Sequence, residues 1–564
     1  MSLEPPPPTS RRELLALFAI LLAAAALRLP RLSTNPPGLI PDEAMFTYDA
    51  WSILKTGRDQ YGERLPLFPR SAARLHCLYL YATVPSVAVF GLTERGARIP
   101  SVVAGLLTVA LLSRLVRRSG GVASGLMASA LLAVSPWHVL ISRTGHEWCF
   151  LPAATLVTVL LVLRALEGRS ARARGVALGW LLAGLAAGAS LYTYTPIRLS
   201  LPLVLLGLSV SFRRELWRQR RAVAAGIAVA MLVALPVVLS ALAPEGMKRL
   251  AVVSEKAEGG SGRLAGGLGR YAASFAPSFL LRGADEPQLH RLRSTGLLYG
   301  FEAALLVVGL VAVLRRRKPG EYELGRQPGE YELGRKPGEY ELGRQPGEYE
   351  LGRDAVGLTL LFWWAAAPLA VAVHRDCPDP ILLVTQLPAP QGLAGIGAAF
   401  LWGFVRPLRP SLRSAVLALA ALLVSMPVAR MARDLYGEFP VYAAPAWSHG
   451  VREAVERAEA LRPGFTDVVV EGRQKFIFSL ILFYSGMEPA ARQREAESLP
   501  GLAYRGRVGP YRIGNVSGLA AAPGRHLVWT SRAEAFPGLE PLHVVRWPDG
   551  RPHYALLAAP GREP

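Results

Sequence analysis

Apolar runs of roughly 17 residues or more recur along this 564-residue chain, and each is long enough to cross hydrocarbon as a helix. In lipid every backbone N–H and C=O must be satisfied inside the segment, so such runs become helices or nothing. With 51% hydrophobic residues and a mean hydropathy of +0.28, the sequence predicts a mostly α, polytopic membrane protein. The formal charge of +21 comes from 63 Lys and Arg against 42 Asp and Glu. Most of the excess lies in short Arg clusters between apolar runs, where membrane topology puts it, and no aromatic-interleaved basic stripe points to nucleic acid. Cys77, Cys149 and Cys377 are too few and too scattered for a disulfide framework or a zinc site, and read as packing residues.

The first run, Leu14 to Leu27, follows Arg11-Arg12 and has the look of a signal peptide or of an anchor. The charged, proline-rich leader 1–12 and the many later runs favour an uncleaved anchor with a cytoplasmic N-terminus. Spans are expected at 13–29, 98–116, 122–139, 150–166, 173–190, 197–212, 221–242, 296–314, 355–373, 382–405 and 413–430, eleven in all. A further apolar stretch, Cys77 to Phe90, would invert every later loop if it crossed. Read as an interfacial or re-entrant helix within a long first outer loop, 30–97, it leaves five clusters on the side of Arg11-Arg12. They are Arg117-Arg118, Arg164/Arg169/Arg172/Arg174, Arg213 to Arg221, Arg315-Arg316-Arg317-Lys318 and Arg406/Arg409/Arg413. The opposite face then collects Asp42-Glu43, Arg143/His146/Glu147, Tyr192/Tyr194/Arg198, the loop 243–294 and His374-Arg375-Asp376. Ionisable groups converging at span mouths read as a polar cavity at the outer interface.

Two segments stand apart. Residues 318–353 are four copies of the nine-residue unit Lys/Gln-Pro-Gly-Glu-Tyr-Glu-Leu-Gly-Arg, with one Leu per copy, and read as a flexible cytoplasmic expansion. Residues 431–564 are long enough for a small α/β domain, placed outside by the topology. Within it Gly450 to Leu461 reads as an amphipathic helix and Phe476 to Tyr484 as a core helix. Asp467 to Val470 and His526 to Thr530 read as buried strands, and Leu542 to Trp547 with His553 to Leu557 as a hairpin turning at Pro548-Asp549-Gly550.

Several motifs occur in a telling order: Gly38-Leu39-Ile40-Pro41-Asp42-Glu43-Ala44 with Gly57 and Tyr61-Gly62, Arg98-Ile99-Pro100-Ser101, Ser135-Pro136-Trp137-His138 leading to Ser142-Arg143, and Tyr192-Thr193-Tyr194-Thr195-Pro196-Ile197-Arg198. In these the chain, over roughly residues 12–430, resembles the GT-C class of polyprenyl-phosphate-sugar-dependent glycosyltransferases, which includes protein O-mannosyltransferases and lipid A aminoarabinose transferases. The resemblance implies transfer of a sugar from a polyprenyl-phosphate donor to a lipid, glycan or protein acceptor at the outer face of the cell (inner) membrane. It also implies a catalytic acid in the first outer loop and an interfacial helix before the second span.

Such a donor carries its own leaving group, so the enzyme must deprotonate the acceptor and stabilise the departing phosphate. Direct attack inverts the anomeric centre. Asp42 is the candidate base, with Glu43 positioning the acceptor or supporting Asp42; as a plain structural feature, Asp42 is also a plausible N-cap for a helix starting near Ala44. Glu147, with His146, is a candidate for sugar or divalent-ion binding or for capping a helix near Trp148, and metal dependence stays open. Arg143 reads as a phosphate ligand or carboxylate partner, or as an interfacial anchor. His290, Arg291 and Arg293, in the run Asp285 to Arg293, are phosphate candidates or snorkelling residues. Tyr192, Tyr194 and Arg198 suit sugar or lipid contacts, or interfacial anchoring. Relatives have a basic residue and a proline pair before the interfacial helix; here Arg74 or His76 keeps the basic residue and the prolines are gone. A His-containing turn in relatives ends in Arg, whereas here it reads Cys377-Pro378-Asp379-Pro380, leaving His374 or Arg375 as substitutes. The competing classes are a transporter or flippase, against which stand the missing inverted repeat and the absence of mid-span charges, and a non-catalytic cell-envelope scaffold.

Overall fold

The computed structural model describes residues 9–70, 77–168, 173–244, 260–283, 289–315, 347–372, 374, 376–471, 477–498, 507–514 and 524–560. A helix stands at each expected span. The first is α1 (Arg11–Ala26), whose N-cap Ser10 accepts the Glu13 N–H. After it come two helices of the first loop, α2 (Pro41–Thr56) and α3 (Cys77–Phe90). The second and third spans form α4 (Glu94–Val134), broken at Gly121, whose φ of 79° is open to glycine at no steric cost. Ser129 Oγ donates to the Val109 carbonyl, 2.9 Å, so the two arms of α4 run antiparallel. The third span ends at Val134, short of the expected 139, because Ser135 starts a separate turn, α5 (Pro136–Ile141), by accepting the His138 N–H.

The bundle continues through α6 (Leu151–Glu167), α7 (Ala173–Ser190), α8 (Ile197–Ser211), the short α9 (Arg213–Arg218) and α10 (Arg220–Leu242). It is completed by α11 (Gly260–Ala273), α12 (Pro277–Leu281), α13 (Gly300–Leu314), α14 (Gly347–Ala366), α15 (Ala389–Val405) and α16 (Pro410–Arg433). The expected span 382–405 opens as a 3-10 turn, Leu382–Gln386, before α15, since Pro388 and Pro390 start a new helix rather than continue the old one. By length and composition alone, four helical segments qualify to cross a membrane: Glu94–Val134, Glu147–Glu167, Arg220–Leu242 and Pro410–Tyr442. Shorter apolar helices of 10–17 residues complete the set. Of the nine-residue repeats, Gly347–Arg353 forms the start of α14 and the rest lies outside the described residues.

Close helix contacts are made by glycine, as in membrane bundles where small residues let backbones approach. Any side chain at Gly309 in α13 would strike the Leu393 carbonyl of α15, and one at Gly397 would strike the Leu305 carbonyl. The core behind these contacts includes fully buried Trp363 and nearly buried Trp137, while Leu232, Leu235, Leu239, Leu422 and Met426 stay exposed, as a lipid-facing surface requires. At one end of the bundle Arg117 pairs with Glu13 at 3.0 Å and Arg118 with Glu167 at 2.9 Å; the other end carries Asp42.

The C-terminal domain is built on a six-stranded sheet in the order β2-β3-β1-β4-β6-β5. Its strands are β1 (Asp467–Glu471), β2 (Arg507–Val508), β3 (Tyr511–Gly514), β4 (His526–Thr530), β5 (Glu540–Arg546) and β6 (Pro552–Ala559). β1 runs parallel to β3 and β4, and β5 and β6 form the expected hairpin. After the short α17 (Phe439–Tyr442), α18 (Val451–Leu461) buries Val451, Ala454, Val455 and Ala458 against this layer. A buried α19 (Ile477–Ser485) and α20 (Pro489–Ser498) bring the domain onto α2. There Ser479 Oγ donates to the Pro41 carbonyl, Tyr48 Oη donates to the Met487 carbonyl at 2.6 Å, and Gln493 Nε2 donates to Thr56 Oγ1 and the Asp59 carbonyl.

Candidate active site

Asp42 and Glu43 lie in the first turn of α2, where Pro41 supplies the helical φ at its first position. Asp42 is not the cap. Ile40 holds the N-cap position and its N–H donates to Glu43 Oε2, 3.0 Å, the backbone-facing half of a capping box. Glu43 is fully buried and also accepts Arg98 Nε and the Gly145 N–H on Oε1, at 3.0 and 2.6 Å. Arg98, equally buried, spends its remaining donors on the carbonyls of Leu32, Pro36 and Gly38. Glu43 thus ties the loop 32–40, the start of α4 and the 145–147 turn to a single point. A buried carboxylate is tolerated there because it is paired and hydrogen-bonded on both oxygens.

Asp42 points the other way. Its side chain is 43% exposed, and Oδ2 lies 3.3 Å from Nε2 of His146, whose own side chain is 4% exposed. His146 is clamped flat on Trp148, centroids 3.4 Å apart, and edge-on to Phe46. Trp148 meets Tyr194 and His290 edge to face, and His290 meets Trp447 in the same way. Burial, with His146 nearby, pushes the His290 imidazole down to about 3, so it is neutral at ordinary pH.

Of the residues singled out from sequence, Asp42, Glu43, His146, Tyr194 and His290 come together. Arg143 lies under this floor as a brace: it is buried and donates to the carbonyls of Leu27, Arg28, Pro30 and Asn35. Glu147 is buried at the start of the 3-10 turn Glu147–Phe150. Tyr192 serves α3 instead, its hydroxyl donating to the Val233 carbonyl and its ring stacking on Phe68, while its carbonyl accepts the Leu78 N–H. Arg198 sits in the first turn of α8. Arg291 donates to the carbonyls of Phe279 and Arg282, and Arg293 lies over the Tyr442 ring at 4.3 Å. His374 turns into its own loop, where its Nδ1 accepts the Asp376 N–H. Arg74, His76 and Arg375 fall outside the described residues. Among the described residues no three His, Cys, Asp or Glu side chains gather as a metal-holding group.

Comparison with known proteins bears on this arrangement at two levels. The family described as dolichyl-phosphate-mannose-protein mannosyltransferase matches residues 77–239. Among solved structures, ArnT from Cupriavidus metallidurans bound to undecaprenyl phosphate superposes with a TM-score of 0.55 at 15% identity, covering 97% of each chain. The chain has the fold of this membrane protein. The archaeal oligosaccharyltransferase AglB from Archaeoglobus fulgidus, in complex with an inhibitory peptide and a dolichol-phosphate, has the same fold at a TM-score of 0.51 and 12% identity, covering 84% of this chain and 64% of AglB. None of the curated proteins compared matches the sequence. Sequence alone assigned Trp148 and Trp447 no role beside Asp42 and presented Arg98 only as part of a motif. An Arg opening an apolar span was the available signal for the last; an isolated Trp carries none.

Proposed function

We propose that this protein is an integral membrane glycosyltransferase that moves a sugar from a polyprenyl-phosphate donor to a lipid, glycan or protein acceptor, with inversion. The observation that carries the reading is the split of one acidic pair: Glu43 wholly buried and four times hydrogen-bonded, Asp42 presented to solvent beside His146. A carboxylate held on a rigid helix turn, reachable by a hydroxyl, is what general-base catalysis needs. Asp42 takes the acceptor proton as the acceptor oxygen attacks the anomeric carbon. The carbon–phosphate-oxygen bond breaks on the opposite side and polyprenyl phosphate leaves with the electron pair.

His290 is the group of the 290–293 trio that meets Trp148 and Trp447, while Arg291 bonds the Phe279 and Arg282 carbonyls and Arg293 lies over the Tyr442 ring. The single end of the bundle that gathers Asp42, the 145–147 turn, the 290 loop and the C-terminal domain supports an extracytoplasmic site with the N-terminus in the cytoplasm. The arginines at the other end support the same orientation. An Asp42→Asn variant, expressed in a deletion strain, should fold and reach the membrane. It should lose transfer by about 10²–10⁴-fold, measured as the missing sugar on surface glycans, glycolipids or glycoproteins by mass spectrometry. Transfer at the wild-type rate would remove Asp42 as the base.

A further inference from the structure

Between α8 and α10 the chain makes a short surface turn, residues 212–221, built around α9 and reading Phe-Arg-Arg-Glu-Leu-Trp-Arg-Gln-Arg-Arg. Its inner side has helical spacing. Phe212 and Glu215 are buried, and Leu216 packs on the bundle core. Gln219 then pins the turn: its Oε1 accepts the Nε1–H of Trp180 in α7 at 2.7 Å, and its Nε2 donates to the Leu166 carbonyl in α6 at 3.3 Å. The outer side is Arg213, Arg214, Trp217, Arg218, Arg220 and Arg221, all exposed. Contact with Leu166 puts this turn at the end of the bundle where Arg118 meets Glu167, away from Asp42.

Two properties of the outer side call for a partner. The first is charge. Elsewhere at this end Arg117 is neutralised by Glu13 and Arg118 by Glu167. Among the described residues, none of the five outer arginines has a carboxylate within ion-pair distance, and the one acid of the turn, Glu215, faces inward. The second is Trp217, 72% exposed, with the Arg220 guanidinium 5.6 Å from its ring centroid. Charge alone would suit any polyanion, but the indole narrows the choice. An amphipathic ring of this kind is at home in the headgroup layer of a bilayer, with its apolar body towards the acyl chains and its N–H towards water. The helices on either side carry lipid-facing residues up to the turn: Leu206 and Val210 in α8 and Ile227 in α10 are exposed. The arginines follow directly, where hydrocarbon gives way to phosphate, and a guanidinium binds phosphate by paired charge-assisted hydrogen bonds.

We infer that the turn 212–221 is a binding surface for anionic phospholipid headgroups of the leaflet at this end, the arginines holding the phosphates and Trp217 seated at the top of the acyl chains. A pinned basic cluster beside a span is suited to retaining such lipids against zwitterionic ones. The surface lies at the opposite end from Asp42 and stands or falls apart from the transferase reading.

The test reconstitutes full-length protein in phosphatidylcholine bilayers, part of whose lipid is replaced by brominated phosphatidylglycerol or, in a parallel arm, brominated phosphatidylcholine. The Trp217 signal is the emission lost in Trp217→Phe. Phosphatidylglycerol should half-quench that signal at about a tenth of the fraction that phosphatidylcholine needs, and this preference should shrink as salt rises. Arg214→Gln and Arg218→Gln should each lower the preference about twofold. Glutamine at all five arginine positions should abolish it with the melting temperature near wild type, since none of the five side chains belongs to the packed side. Equal quenching by the two lipids overturns the inference, as does a preference that survives unchanged in both single variants. Binding of a single-stranded oligonucleotide to the reconstituted protein, removing the phosphatidylglycerol preference and lost without the arginines, would assign the surface to nucleic acid instead.

Discussion

Asp42 and Glu43 are consecutive in sequence and opposite in environment, and the helix turn they share is the reason. On the first turn of α2 the third position reaches back to the Ile40 N–H, which draws Glu43 inward to Arg98, while Asp42 faces the open side. Breaking a buried pair leaves a charge without compensation, at about 3–5 kcal/mol. Arg98→Met should accordingly lower stability by that order in detergent melts and displace Asp42 from His146, so that activity falls with stability. A variant melting like wild type would deny Glu43 its role as the knot. A second residue-scale outcome concerns pH. His290 binds its proton only near pH 3 when folded, against an ordinary 6.5. Between those values the unfolded chain holds more protons, so this residue's contribution disfavours folding progressively as pH drops from about 6.5 towards 3. Replacing it by Phe should flatten the fall in melting temperature between about pH 7 and pH 4.5; a slope identical to wild type would show that His290 is not buried neutral.

At the scale of elements, helix-on-helix contact depends on backbone approach at glycine. Gly309 and Gly397 let α13 and α15 touch through their carbonyls, and Gly309→Val should force them apart at a cost of about 1–3 kcal/mol, read as a lowered melting temperature. Elements that pass through lipid or fill a core were legible, because apolar runs have one meaning at a given length. That is why the bundle, α18, α19, β1, β4 and the hairpin appear close to where the residues predict them. By contrast only the start of α2, expected near Ala44, was legible, and not what it packs against. Both of its sides are covered, one by the bundle and one by α19 and α20, so polar Ser52 and Thr56 find partners on Gln493 that no periodicity announces. The strands β2 and β3, of 2 and 4 residues, are too short to carry a pattern: β3 forms on the edge of β1, and β2 on the edge of β3.

For the whole molecule, the C-terminal domain does not hang from the last span but closes on the first loop. Arg452 pairs with Glu94 at 3.4 Å, and Leu39, Ala44, Tyr48 and Ala97 enter one hydrophobic cluster with Val455, Phe478 and Tyr511. Removing residues 448–564 should therefore expose that cluster and abolish both stable expression and transfer. Deleting most of the repeat insertion, 319–346, which carries one Leu per copy, should leave stability and transfer near wild type. Loss of activity on that deletion would assign the repeats a role beyond a spacer.

Membrane residence, the order of the long apolar helices and the acidic pair as a point of interest were determined by the sequence. Each depends on the cost of moving apolar or charged groups between water and lipid, which is a property of residue type and run length. Which carboxylate is buried, which arginine braces and which histidine lies beside Asp42 were decided only by the fold. Those roles depend on which distant groups share a low-dielectric space: Glu43 with Arg98 and Gly145, His290 with Trp148 and Trp447, 299 residues from the last to the first of that row's two indoles along the chain.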